Sequence, residues 1–287
     1  MAGVGLSTAV GRKAALRSVY ERLAAVADVV GLSSTAEDVR RVRLPKLEDE
    51  EVSLVVLGEF NHGKSTFLNA LLGDPVLPVG VTPTTATLVE LRHAPTFSAE
   101  VQLADGTRKP IPREALEPYL TVEGHATRQD GAAIERVDVR LPSPYLARRV
   151  TVVDTPGDND LSEQRADITY GYIPRADAVV FLLDATQILT ASERRFLEER
   201  VLRTARDRIV FVVAKADLLD PEELAEALAF ARRHLAPIVP DPPIFAVSAK
   251  RKAQGRHDES AFGPLEAHLE ALFGDNRRRL LLDLGRV

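Results

Sequence analysis

The sequence contains no cysteine. Disulfides, thiolate catalysis and cysteine-built zinc sites are therefore excluded. Its six histidines are scattered, with no pair at metal-ligand spacing, which argues against a histidine-built zinc site too. No run of about 18 apolar residues exists, so no segment is long enough to span a bilayer as a helix. The longest mainly apolar stretch, Ala176 to Thr186, is strand-length and carries acids. The N-terminus lacks the basic-then-apolar order of a signal peptide and carries Glu21, Asp28, Glu37 and Asp38. A cytoplasmic protein is expected. An excess of positive charge is missing as well: the formal net charge is −5, which gives nucleic acid no electrostatic footprint. At 287 residues the chain is one large domain, or one domain with an appendage, and it shows no internal repeat.

What is present is organised around Gly58 to Thr66, read as GEFNHGKST. It follows the apolar run Val52 to Leu57 and leads into Phe67 to Leu72, which has helical spacing and no breaker before Gly73. Strand, glycine-bounded loop, Lys-Ser and helix form the context in which G-x-x-x-x-G-K-[ST] becomes a phosphate-binding loop. The backbone N–H groups of such a loop and the helix N-terminus offer partial positive charge to a β-phosphate. Gly58, Asn61, His62, Gly63, Lys64, Ser65 and Thr66 are its nucleotide-binding candidates. Lys64 has the reach to meet the β- and γ-phosphates, and the Ser65 hydroxyl can ligate Mg2+.

From Val52 onward apolar strands alternate with helices. Strands are expected near 52–57, 86–92, 98–103, 134–141, 149–154, 178–183, 208–214 and 243–247, and helices at 64–73, 162–173, 190–203, 221–235 and 262–273. This predicts an α/β fold with a mostly parallel central sheet flanked by helices. Residues 93–148 depart from the pattern, with a turn at Ala104 to Thr107 and several prolines, and are expected to add antiparallel strands at one sheet edge. Residues 7–31 read as a helix ending at Gly31. Its Leu16, Val19, Leu23, Val26 and Val30 form a narrow stripe suited to packing on another helix. A second short helix fits 35–43. Toward the other end Leu265, Leu269 and Leu272 have helical spacing, Gly274-Asp275-Asn276 offers a stop, and Arg277 to Leu282 begins a new element. The expected organisation is an N-terminal bundle segment at 1–50, the α/β domain at 51–258, and a C-terminal helix at 259–287 packing with the N-terminal segment.

Four further pieces follow the loop. Asp154-Thr155-Pro156-Gly157 ends the run Val150 to Val153; its carboxylate can hold Mg2+ through water, and the Gly157 N–H can sense a γ-phosphate. Ala214-Lys215-Ala216-Asp217 follows Ile209 to Val213. The Asp217 carboxylate can accept from guanine N1–H and N2–H2, a pair adenine does not offer, while the Lys215 stem covers one face of the base. Ser248-Ala249-Lys250 follows Ile244 to Val247 and brings a backbone N–H toward guanine O6. Lastly, Leu77 to Thr85 holds threonines, one of which can ligate Mg2+ and fold the segment over the nucleotide. Each piece alone is ordinary turn or strand-end chemistry. All five, however, fall in one order at strand ends, where open α/β sheets bind ligands. The sequence reads as a GTPase-type domain handling GTP and GDP with Mg2+.

The wording of these motifs resembles the dynamin superfamily, and within it the bacterial dynamin-like proteins. GEFNHGKSTFLNALLGDPVLPVGVTPTTA resembles that group's P-loop and switch I, and DTPGDND and Leu189 to Glu193 are similar to it as well. The likeness covers residues 50 to 250, approximately. It implies Lys64 on the phosphates, Ser65 on Mg2+, a switch I threonine at either Thr82 or Thr85, Asp154 and Gly157 in switch II, and Lys215 with Asp217 on the base. It also implies a homodimer formed head to head across the nucleotide sites. A stalk outside this chain would reach membrane lipid, with the full-length protein peripheral at the membrane.

The pattern has departures. Ala214 stands where many GTPases have Asn or Thr, so one side-chain tie between that strand and the P-loop is expected to be lost and affinity weakened. Asn61 replaces a catalytic Ser or Arg, Phe60 replaces Gln, and no Gln follows Gly157. Holding the attacking water then falls to Asn61, His62, a switch I hydroxyl, backbone groups or a partner chain. A histidine at this loop position is expected to face solvent or a dimer partner. Lys64, Ser65, Asn61, Thr82 and Thr85 are the catalytic candidates. Where an in-loop arginine exists it is worth roughly 10³–10⁵ in rate, so its absence predicts slow basal turnover. Two functions fit: a dynamin-like mechanochemical GTPase whose nucleotide-dependent dimerisation is linked to membrane remodelling, or a nucleotide-gated interaction module with very slow hydrolysis. A ribosome-associated small GTPase is disfavoured by the acidic balance and the lack of a basic appendage.

Overall fold

The computed structural model describes residues 9–44, 47, 51–59, 61–80, 87–121, 124, 133–156 and 172–282. The chain divides into two compact units, Met1–Val52 with Glu270–Val287, and Ser53–Leu269. In the first unit, helix α1 (Ala9–Val29) ends before Gly31, whose φ of 79° is left-handed. It packs against α2 (Ser33–Asp38), which runs on as a π turn over Val39–Arg43. On these helices Ala24, Ala27, Ala36 and Val39 are buried, whereas Val19, Leu23, Val26 and Val30 of the predicted stripe stay exposed. Alanines let the two helices approach closely, and the Arg40 guanidinium gripping both carboxylate oxygens of Asp28 adds a bidentate clasp.

The second unit is built on a nine-stranded, mostly parallel sheet. Its strands are β1 (Val52–Leu57), β2 (Leu88–His93), β3 (Ser98–Leu103), β4 (Arg108–Ile111), β5 (Ile134–Leu141), β6 (Val150–Asp154), β7 (Ala178–Asp184), β8 (Ile209–Ala214) and β9 (Ile244–Ala246). The order is β4-β3-β5-β2-β6-β1-β7-β8-β9. β1, β7, β8 and β9 run parallel in succession, so their carboxyl ends share one edge. Every residue of β7 and β8 is buried, as the unbroken apolar runs of doubly covered strands require. The antiparallel β3–β4 hairpin lies at the opposite margin. Pro110 falls in the outermost strand, β4, where its missing N–H need not interrupt an interior ladder.

Helix α3 (Lys64–Leu72) stops at Gly73, φ 72°. After the short α4 (Glu117–Leu120) and strands β5 to β7, α5 (Ala191–Phe196) passes through a π turn at Leu197–Val201 into α6 (Leu202–Ala205). α7 (Pro221–Leu235) begins with a capping box between Asp220 and Glu223, has Pro221 in its first turn, and carries Arg232, Arg233 and His234 in its last. α8 (Ala249–Ala253) and α9 (His257–Ser260) lead to α10 (Phe262–Leu282). Phe181 and Phe211 meet at 6.0 Å between ring centroids in the core, and full burial of each such side chain stabilises the fold by about 1.5–3 kcal/mol. Contrary to expectation, Gly274 does not end a helix: α10 runs through it to Leu282. Gly274 does not take the left-handed φ found at Gly31 and Gly73, so it only weakens the helix by about 1 kcal/mol relative to alanine. Most of the helix expected at 162–173 lies outside the described residues.

Candidate functional site

The loop after β1 requires glycine at its first position. Gly58 has φ 150°, and a Cβ there would lie 2.8 Å from the carbonyl oxygen of Leu182 on β7. At its far end Gly63, φ 83°, begins α3, so the N-terminal end of that helix meets the loop. Lys64 and Ser65 are buried and Thr66 is half-buried. The Lys64 ammonium donates to the carbonyl oxygens of Gly58 (2.7 Å) and Glu59 (2.9 Å), closing the loop around itself. One helix face further on, Asn69 holds the backbone of Leu77 at both ends, donating to its carbonyl (2.8 Å) and accepting from its N–H (2.9 Å). That clasp fixes where the segment leading to Thr82 and Thr85 departs. Thr82, Thr85 and Gly157 lie outside the described residues.

Asp154, at the end of β6, is fully buried, and the next residue ties this strand end to β1 by donating from Thr155 Oγ1 to the Val56 carbonyl at 2.9 Å. The Ser65 hydroxyl and the Asp154 carboxylate make an oxygen-only donor set, which fits a hard cation such as Mg2+.

At the end of β8, Lys215 adopts φ 60° and donates to the carbonyl oxygen of Asn61 (2.7 Å) and to Asp184 Oδ2 (2.5 Å). The tie between β8 and the P-loop that Ala214 does not make is thus made one residue later. Burial alone would raise the pKa of Asp184, but the Lys215 ammonium and the Thr186 hydroxyl and N–H hold it below the ordinary carboxylate value. Asp217 accepts from Ser248 Oγ at 2.6 Å, and Ser248 Oγ in turn accepts from Arg251 N–H (3.1 Å) as the cap of α8. The third and fourth motifs are therefore one hydrogen-bonded unit. Ala249 and Lys250 open α8, with Lys250 exposed.

His62 does not face solvent; it is buried. Its Nδ1 lies 3.0 Å from Glu193 Oε1, and its Nε2 lies 4.0 Å from Glu59 Oε2. The cause is local to the start of α5. Thr190 and Glu193 form a capping box: Glu193 Oε2 accepts from Thr190 N–H (2.8 Å) and Glu193 N–H donates to Thr190 Oγ1 (3.1 Å). That box delivers a carboxylate beside the loop, and Thr190 Oγ1 also reaches Glu59 Oε1 at 3.3 Å. Glu59, Asp184, Thr190 and Glu193 were not among the expected site residues. The Thr190-x-x-Glu193 spacing was the available signal for two of them, and an acid closing an apolar strand was the signal for Asp184; Glu59 has none.

Fold and site together define a P-loop GTPase domain. Residues 54–216 match the Dynamin family, and the chain belongs to that family. It is 31% identical over 245 residues to an uncharacterized protein in the xynA 3′ region of Caldicellulosiruptor sp. (strain Rt8B.4), covering 84% of this chain and 59% of that one. It is 31% identical over 218 residues to the bacterial dynamin-like protein of Nostoc punctiforme, covering 71% of this chain and 31% of that relative. A solved chain of an oligomerised bacterial dynamin pair shares the fold with a TM-score of 0.69 at 20% identity, over 93% of this chain and 45% of that one. The chain spans less than two-thirds of the length of these relatives. Among the described residues no helix is long and apolar enough to cross a membrane.

Proposed function

We propose that this site binds GTP together with Mg2+ and hydrolyses it. The observation that carries the reading is the contact from Lys215 to Asn61, which joins the base-reading end of β8 to the phosphate loop in one fixed arrangement. Gly58 and Asn61 to Thr66 cradle the phosphates, and Lys64 exchanges its two carbonyl acceptors for phosphate oxygens. Ser65 and Asp154, with Thr82 or Thr85, hold Mg2+, which supplies charge neutralisation at the phosphates. Gly157 senses the γ-phosphate. Asp217, oriented by Ser248, accepts from guanine N1–H and N2–H2; the Lys215 stem covers one face of the base, and an N–H of Ala249 or Lys250 meets O6. Asn61 or a switch I threonine positions the water. His62 is withdrawn from that task by its burial beside Glu59 and Glu193.

Around the GTPase domain at 51–258, segments 1–50 and 259–287 act as a helical bundle. The domain pairs with a second copy across the nucleotide, and a stalk outside this chain carries the movement to a membrane at which the whole protein is peripheral. Family membership supports this, as does the likeness to a bacterial dynamin pair described as sensing and tethering membranes. A second reading, a nucleotide-gated interaction module, is favoured by the arginine-free loop and the enclosed His62. GTP turnover per molecule, measured at several protein concentrations, separates them. A rate that climbs with concentration and is abolished by Lys64→Ala supports the paired enzyme. A flat, slow rate with tight GTP retention supports the gated module.

A further inference from the structure

We propose that Glu59, His62 and Glu193 form a binding site for a divalent transition metal, Zn2+ above all, which fastens the phosphate loop to the start of α5. Each residue offers one ligand atom, and the three atoms lie within 4.8 Å of one another. All three side chains are enclosed: Glu193 is 1% exposed, and Glu59 and His62 are 7% exposed each. Acidic groups gather without a metal often enough that the cluster alone decides nothing. A second observation points to a ligand. His62 Nδ1 and Glu193 Oε1 approach to 3.0 Å without hydrogen-bond geometry, and neither has a hydrogen-bond partner among the described residues. Buried polar atoms are normally satisfied, and buried charges are paired or hold a metal. Two lone-pair atoms set this close are satisfied together by one cation.

The spacing and the donor types fit zinc. Zn2+ takes nitrogen and carboxylate oxygen at about 2.0–2.1 Å, so two ligands of a tetrahedron stand about 3.4 Å apart. The His62–Glu193 pair is already close to that separation, and Glu59 closes the set by a shift of at most about 1.5 Å. Glu59 Oε2 stands 4.0 Å from His62 Nε2, beyond hydrogen-bond reach, so this carboxylate is not committed to the ring. The capping box supplies the outer partners that orient both acids. Glu193 Oε2 accepts from the Thr190 N–H, and Glu59 Oε1 faces the Thr190 hydroxyl. An imidazole nitrogen in the set disfavours Mg2+ and Ca2+, which take oxygen, and separates this site from the oxygen-only pair Ser65 and Asp154. Glu59 and His62 lie between Gly58 and Gly63, whereas Glu193 lies in the first turn of α5. One ion therefore joins two distant segments of the chain, whether or not a nucleotide is bound.

The test uses the untagged full chain, stripped with a chelator and titrated with Zn2+ in the presence of millimolar Mg2+. One Zn2+ per chain is expected, with a Kd in the micromolar range or below and a raised melting temperature. X-ray absorption at the zinc edge is expected to show a single imidazole, with the other near ligands oxygen. His62→Gln and Glu193→Gln are each expected to weaken Zn2+ binding at least about 100-fold, since loss of an outer partner alone costs about 10–100-fold. Glutamine suits the capping box as well as glutamate, so metal-free Glu193→Gln is expected to melt near the parent temperature. If His62→Gln does not fold, Glu193→Gln and the absorption spectrum of the parent decide. No bound Zn2+, binding unchanged in both variants, two or more imidazoles on the metal, or displacement by Mg2+ overturns the proposal. A parent that binds Zn2+ but neither binds nor hydrolyses GTP defeats the nucleotide reading and leaves the metal site standing. GTP binding without Zn2+ binding defeats the metal site alone.

Discussion

Lys215 Nζ lies 2.7 Å from the carbonyl oxygen of Asn61 and 2.5 Å from Asp184 Oδ2, so one ammonium group joins the ends of β7 and β8 to the phosphate loop. Replacing it by methionine keeps the apolar stem that would cover a base and removes only the charge. Lys215→Met is expected to lower unfolding stability by about 1–2 kcal/mol, discounted for the partial exposure of the pair, and to weaken GTP binding at least tenfold. Urea unfolding and nucleotide titration check the two effects separately.

Asp184 gives the fold an acid sensitivity whose sign is fixed by its depressed pKa. A carboxyl held below its unfolded value stabilises the native state above that value and loses the contribution as pH falls through the native one. Asp184→Asn is therefore expected to be less stable than the parent at neutral pH. The gap should narrow as pH drops below the ordinary carboxylate value of about 4. A gap that widens on acidification would contradict the assignment.

Gly58→Ala tests the closest backbone approach in the site. Its added Cβ would sit 2.8 Å from the carbonyl oxygen of Leu182, in a φ of 150° that side chains rarely adopt. A destabilisation of about 1–3 kcal/mol and loss of measurable nucleotide binding are expected. Calorimetric melting and a GTP titration report them.

Ser248→Ala removes the 2.6 Å hydrogen bond to Asp217 and the cap of α8 together. The cap is worth about 1 kcal/mol of stability. The larger expected effect is on selectivity: with Asp217 no longer held, the ratio of GTP to ATP affinity falls while affinity for inorganic triphosphate is unchanged.

The sheet was legible because its strands announce themselves by burial. β7 and β8 are unbroken apolar runs ended by an acid and by Ala-Lys, and the glycines at 58, 63 and 73 mark where the loop and α3 begin and end. Four of the five motifs could be placed at strand ends for the same reason; the fifth, Leu77 to Thr85, follows α3, and its threonines lie outside the described residues. Two features were not legible. The buried face of α1 is set by Ala24 and Ala27, and small residues leave a weak periodic signal beside the larger Val19, Leu23 and Val26. The continuation of α10 through Gly274 depends on that residue keeping a helical φ, which composition does not dictate. Within the site, the partners of His62 and Lys215 come from residues far along the chain, Glu193 and Asp184, and a local pattern cannot report such pairings. That is why His62 was expected at the surface and is instead enclosed.

The measurement that tests the central claim most directly is a calorimetric titration of the protein with GTP and with ATP, in Mg2+, beside Asp217→Ala. The account predicts that GTP binds at least 100-fold more tightly than ATP, the scale expected when a site built for two hydrogen bonds meets a base lacking them, and that Asp217→Ala erases the difference. Equal affinity for the two nucleotides in the unmodified protein would contradict it.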